Sequence, residues 1–192
     1  MPPDIQKQLW PRVLYIDMSG KEGSVIPFPL FYRFGEESLY EISRFLAEEL
    51  KQKKGFTVIT NSVDVFETLN RTPGIILIST GGAVRFSTQA LVGPTAEVAL
   101  KELRADKLFL MVSGITLDFG LSHHAISEVT IKQAMINSAR EIIVVADHTA
   151  FMADVGIQVA PLEAVHKLIT DDALPPSTRL NFSKAGIQVV IV

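Results

Sequence analysis

Five short apolar runs in this chain each stop at small polar residues. TVIT (57–60) runs into Asn61-Ser62, GIILIS (74–79) into Thr80-Gly81-Gly82-Ala83-Val84-Arg85, and KLFLMV (107–112) into Ser113-Gly114-Ile115. EIIVVA (141–146) runs into Asp147-His148-Thr149, and KLIT (167–170) into Asp171-Asp172. Any one of these is explained by a turn or a helix cap; their recurrence at strand ends points to a polar binding face. Gly81-Gly82 would let backbone amides approach an anion, and Arg85 offers phosphate a bidentate fork. Glu128 and Lys132 lie four apart on one predicted helix. Such a pair is ordinarily a surface helix-stabilising contact. If the helix starts at a pocket, the pair can instead orient a sugar hydroxyl and a phosphate. In an enzyme, Glu128 would be the base and Lys132 the electrophilic partner of a sugar-phosphate isomerisation.

Several chemistries are excluded. With no cysteine there is no disulfide framework, thiolate metal site or cysteine nucleophile, and the composition fits a reducing cytoplasm. Neither a Walker motif nor GxGxxG is present, and GxSxG, the nucleophile elbow, is absent. His123 and His124 are adjacent and point apart, so one metal would not take both; no metal and no cofactor is expected. The net charge of −3 argues against a nucleic-acid-binding surface within this chain. The one dense basic run, Lys51-Gln-Lys-Lys54, reads as a solvated helix end. No signal peptide is recognisable, and no apolar run approaches the roughly 18 residues of a membrane span.

The elements that must position these residues alternate. Strands are predicted over 13–16, 57–60, 74–79, 107–112, 141–146, 167–170 and 188–192, with a shorter extended piece at 155–159. Helices are predicted over 38–51, 63–69, 94–104, 127–139, 162–167 and 176–185. Ser38 with Glu41 forms a capping box for the first helix and Gly55 ends it. Pro27 and Pro29 make 21–37 an irregular insertion. The strands are short and apolar without alternation, the pattern of a parallel sheet covered on both faces. The fold class is therefore α/β, a three-layer sandwich with a mostly parallel sheet, and the 192 residues suit one domain. In such sheets ligands sit at the carboxyl ends of the strands.

The ordered series TNS (60–62), GG-x-x-R (81–85), VGP (92–94), SGI-x-x-x-x-GL (113–121), E-x-x-x-K-x-x-M (128–135), ADH (146–148) and LITDD (168–172) resembles the C-terminal sensor domain of DeoR-type transcriptional regulators. The likeness covers the chain from about Phe56 to Val192 and, weakly, from Ser38. It implies a fold similar to ribose-5-phosphate isomerase, glucosamine-6-phosphate isomerase and CoA transferases, working as a sensor and not as an enzyme. The implied ligand is a phosphorylated sugar or related metabolite that modulates DNA binding by a repressor. Carried over by position, the ligand would meet Asn61, Ser62, Gly81, Gly82, Arg85, Ser113, Gly114, Glu128, Lys132 and Asp147. A homo-oligomer, dimer or tetramer, is implied, with DNA contacted only through a helix-turn-helix absent from this chain.

Two departures from that family stand out. Its first strand ends in an aspartate followed by a small-residue loop. Asp17, with Ser19 in the loop, fills that role here if 21–37 is an insertion; the alternative places Arg33 to Ser38 there, with Glu36 and Glu37 repelling a phosphate. The family also carries a lysine where Ala150 stands. Three readings follow: a sensor module, a small isomerase built on Glu128 and Lys132, and an oligomerisation domain with a vestigial pocket.

Overall fold

The computed structural model describes residues 13–16, 46–151 and 154–191. Asp17, Ser19, the 21–37 insertion, the Arg33–Ser38 alternative and the Ser38–Glu41 capping box lie outside the described residues.

Seven parallel strands form the central sheet. In chain order these are β1 (Val13–Ile16), β2 (Phe56–Thr60), β3 (Ile75–Ser79), β6 (Ala105–Met111), β9 (Ala139–Val145), β11 (Lys167–Thr170) and β12 (Gln188–Ile191). Across the sheet the order is β12-β11-β9-β6-β1-β2-β3. β1 is thus an interior strand, with Val13 in register with Thr57 on one side and Leu14 with Lys107 on the other. All the carboxyl ends lie on one edge, because every pairing in this sheet is parallel.

Alternating side chains bury both faces, as the uninterrupted apolar runs require. On one face Ile59, Leu108, Leu110, Val144 and Leu168 pack against helices α3 (Pro94–Glu102), α4 (Ile126–Ser138) and α5 (Pro176–Lys184) through Ala96, Leu100, Val129, Met135 and Phe182. On the other, Val58, Met111, Ile143, Val145 and Ile169 pack against helical residues 46–50 (α1) and against α2 (Val63–Leu69) through Leu46, Ala47, Leu50, Val65 and Leu69. This is the three-layer α/β sandwich expected of the sequence.

Two small antiparallel sheets rise from the carboxyl edge. One pairs β4 (Ala83–Arg85) with β5 (Ala90–Val92). The other has the order β10-β8-β7, from Ile157–Ala160, Gly120–His123 and Gly114–Thr116. The 155–159 extended piece is thus β10, whereas the other four short strands were not expected. Glycines let them pack closely. Gly82 has φ +110°, and a β-carbon there would sit 2.5 Å from the Val92 carbonyl oxygen. Gly120 has φ +79°, and a β-carbon there would collide with the Ala160 carbonyl oxygen. The helix expected over 162–167 shrinks to a 3-10 turn, Leu162–Ala164, because the backbone is already extended at Val165 ahead of β11, which begins at Lys167.

Candidate functional site

The polar strand-end residues separate into a connected cluster and several local caps. The cluster is centred on Glu128, in the first turn of α4, where a carboxylate also complements the helix dipole. Glu128 and Lys132 are both fully buried, so they are not the exposed helix pair that four-residue spacing usually makes. Glu128 Oε1 accepts from Arg85 Nη1 at 2.6 Å and from Thr88 Oγ1 at 2.8 Å. Its other oxygen accepts from His123 Nε2 at 2.7 Å. His123 Nδ1 in turn lies 2.6 Å from Ser113 Oγ. Lys132 Nζ donates to the Met111 carbonyl oxygen at 2.8 Å, at the end of β6.

A buried carboxylate is tolerated only when paired and hydrogen-bonded. Burial by itself would push the Glu128 carboxyl up, but the His123 hydrogen bond, the Lys132 charge and the Thr88 hydrogen bond outweigh it and hold it at about 2. Arg85, at 2.6 Å, acts in the same direction. Glu128 is therefore ionised, with both oxygens engaged. That is the opposite of what a general base near neutral pH needs, since an effective base has a pKa close to the working pH and a free lone pair. The isomerase reading loses its base.

Arg85 carries the Glu128 charge, and 33% of its side chain remains exposed. The backbone beneath it is the tight β4–β5 hairpin, in which Gly82 serves the close approach to Val92. Ser113 is half-buried, its amide donating to the Ser122 carbonyl at 3.1 Å. Gly114 starts β7, paired with Ser122.

The remaining expected residues have local roles. Ser62 caps α2, accepting from Val65 N at 3.3 Å. Asp147 accepts from Thr149 N at 2.8 Å and shapes the 3-10 turn His148–Phe151. It does not join the Glu128 cluster. Asn61 is different. It is fully buried, its carbonyl accepts from Leu91 N of β5, and among the described residues neither its side-chain oxygen nor its side-chain nitrogen has a hydrogen-bond partner. Thr170 Oγ1, at the end of β11, is also buried and has no hydrogen-bond partner among the described residues.

Two residues of the cluster escaped sequence reasoning, His123 and Thr88. His123, the last residue of the fully buried strand β8, is buried, while His124 just beyond it is exposed. The only signal for His123 was its place five residues before Glu128. For Thr88 there was none. Among the described residues no group of three or more metal-ligating side chains occurs, and no helix is long and apolar enough to cross a membrane.

Residues 43–172 match the family model described as the DeoR C terminal sensor domain. The transcriptional repressor AccR of Agrobacterium fabrum is 32% identical over 149 residues, covering 73% of this chain and 58% of that protein. The HTH-type transcriptional regulator GlpR of Haloferax volcanii is 33% identical over 132 residues, 69% of this chain and 51% of that protein. The HTH-type transcriptional repressor CsqR of Escherichia coli K12 is 27% identical over 146 residues, 76% and 56% respectively. The chain spans about half the length of the curated relatives it matches. These relatives are named as transcriptional regulators, and the matching family is described as a sensor domain.

Proposed function

Since this chain belongs to the DeoR C terminal sensor domain family, we propose that it binds a phosphorylated sugar or related metabolite at the carboxyl edge of its sheet and passes that occupancy to a DNA-binding helix-turn-helix outside the chain. It acts in the cytoplasm as a homo-oligomer, and the DNA contact belongs to the other half of the regulator. The observation that carries the reading is Asn61. A buried amide with both polar atoms unsatisfied costs on the order of 1–3 kcal/mol per group. A ligand that both donates and accepts, as a sugar hydroxyl does, removes that cost. Asn61 abuts β5, the partner strand of the hairpin that carries Arg85, so the vacant hydrogen-bonding capacity and the exposed part of a guanidinium flank one element. Ser113, Gly81 and Gly114 complete the polar edge.

Thermal unfolding of the 192-residue chain against a panel of pentose, hexose and triose phosphates tests this. A ligand at a hundredfold its dissociation constant adds roughly 2.7 kcal/mol, a shift of several degrees for a chain this size. No stabilisation by any sugar phosphate in a broad panel sinks the reading.

A further inference from the structure

A second polar cluster lies at the ends of β9 and β11. Asp171, one residue past β11, is buried, and each of its carboxylate oxygens accepts a backbone amide. Oδ2 accepts from His148 N at 2.8 Å and Oδ1 from Ala173 N at 2.9 Å. The imidazole of His148 closes on the same carboxylate, with Nδ1 3.1 Å from Oδ1 and 3.2 Å from Oδ2. Backbone amides can only donate, so both oxygens are acceptors and the ring carries a proton on Nδ1. A charged ring keeps that proton and adds one at Nε2, so the assignment holds in either state. Nε2 is the ring nitrogen left for something else, on a side chain 44% exposed, whereas the Asp171 side chain is only 9% exposed. Each oxygen of Asp171 already meets an amide, so closing this loop does not require a histidine.

The ring stands on the edge where the proposed ligand lies. Val145 of β9 is in register with Met111 of β6 and with Ile169 of β11. Ser113, Asp147 and Asp171, each two residues further on, therefore leave neighbouring strands at one level. The 3-10 turn that His148 opens packs against β7, which Gly114 starts. From β2, which leads into Asn61, to β9 is three strand spacings, about 14 Å. That is room for a sugar phosphate with a hydrogen bond at each end. Of the other charged groups here, Asp147 is turned onto the Thr149 amide and Asp172 is exposed to solvent. Arg179 is anchored on the loop after β11, its Nε donating to the Leu174 carbonyl at 2.7 Å and its Nη2 to the Asp172 carbonyl. Arg85, the cation that the sequence offers to a phosphate, donates to Glu128 instead.

We propose that His148, clamped by Asp171, is the phosphate contact of the ligand site, through Nε2. A phosphate monoester loses its second proton near pH 6, so ring and phosphate bind through one proton that either can bring. A charged ring donates to the dianion; a neutral ring accepts from the monoanion. Asp171 is a positioning residue that acts through the ring. The inference rests on the sensor reading above and deepens it: the phosphate goes to the β9 and β11 ends, and the sugar hydroxyls go toward Asn61.

Two measurements on the whole chain test this. Nitrogen NMR of the ring, assigned with a His148→Gln variant, is expected to show Nδ1 protonated in the unliganded protein. A neutral ring protonated on Nε2 alone overturns the clamp. In Asp171→Asn, where a donor replaces one acceptor, the Nε2–H form should become populated; an unchanged ring signal means that Asp171 does not position it. Saturating inorganic phosphate, or a sugar phosphate that stabilises the wild type, is expected to move the Nε2 resonance. A ring that responds to neither is not the contact. The second measurement is affinity for that sugar phosphate. His148→Gln should weaken it by about tenfold or more, the loss of one charge-assisted hydrogen bond, and should shrink the preference over the unphosphorylated sugar by a similar factor. An affinity that stays within about twofold removes the assignment and leaves the sensor reading standing. Wild-type silence toward every sugar phosphate removes both. The melting temperature of each unliganded variant reports whether it folds.

Discussion

Arg85 Nη1 donates to Glu128 Oε1 at 2.6 Å, joining two residues 43 apart in the chain. The bond latches the β4–β5 hairpin to the first turn of α4, and Thr88 doubles it from the same hairpin at 2.8 Å. The carboxylate therefore adds a side-chain anchor to a hairpin whose backbone is tied to the end of β2 through Leu91 N on the Asn61 carbonyl. The hairpin also carries Phe86, which is 87% exposed, and Val84, 54% exposed. Its other strand is held differently, with Ala90 buried and Val92 packed against the core.

Removing the Glu128 carboxylate is the most disruptive single change available in the cluster. Breaking a buried pair from one side costs about 3–5 kcal/mol, and the partial exposure of Arg85 lowers this to roughly 2–4 kcal/mol in Glu128→Ala. Glu128→Gln keeps the shape and costs less. In urea the midpoint of unfolding is expected to fall with an unchanged slope, the mark of lost stability in an otherwise intact fold.

Acid should act through the same group. The Glu128 carboxyl is depressed in the folded state, from an ordinary 4.5 to about 2. A depressed acid contributes stability that is fully present above its unfolded pKa and is lost as pH falls through the folded value. The window is therefore from about 4.5 down to about 2, and the amount is roughly 3 kcal/mol. Unfolding free energy measured across that range should drop more steeply in wild type than in Glu128→Gln. Equal slopes would show that the carboxylate is not held as described.

Asn61→Leu separates stability from binding. The side chain is fully buried with both polar atoms unpaired, so a leucine of similar size removes an unmet cost of about 1 kcal/mol or more. The unliganded variant should melt at or above the wild-type temperature, and the stabilisation by sugar phosphate should disappear. A clear loss of unliganded stability would mean that Asn61 has partners in solution.

Two glycines with positive φ provide a matched comparison. Gly93 has φ +93° and open space where a β-carbon would go, whereas Gly82 has φ +110° and the Val92 carbonyl oxygen 2.5 Å away. Gly93→Ala should cost only the backbone conformation, about 1–3 kcal/mol, because φ +93° with ψ −179° is a region essentially reserved for glycine. Gly82→Ala adds a collision with fixed backbone and should cost more, with the hairpin amides losing hydrogen-exchange protection before the central sheet does. Similar costs at the two positions would mean that the hairpin gives way easily.

The layered architecture was legible because it rests on local patterns. The apolar runs at 57–60, 74–79, 107–112, 141–146 and 167–170 are β-branched or leucine-rich without alternation, which only a doubly covered parallel strand accommodates, and their polar ends mark the carboxyl edge. Helices α2, α3 and α5 announce themselves by Ser62 at a cap and by Pro94 and Pro176 in a first turn. The resemblance carried the family. What the tertiary structure decided is the use of the polar residues. β4, β5 and β7 are three residues long and exist through pairing, which leaves no periodicity to read. Glu128 and Lys132 have the spacing of an exposed ion pair, yet both are fully buried. Arg85 has the chemistry of a phosphate fork but carries Glu128, and Asp147 shapes a turn. His123 acquired its role because strand β8 brings it within hydrogen-bonding distance of both Ser113, ten residues before it, and Glu128, five residues after. Hydrophobic order is written along the chain with a period. A hydrogen-bond network is written in three dimensions, by side chains whose separation in sequence says nothing about their distance in space.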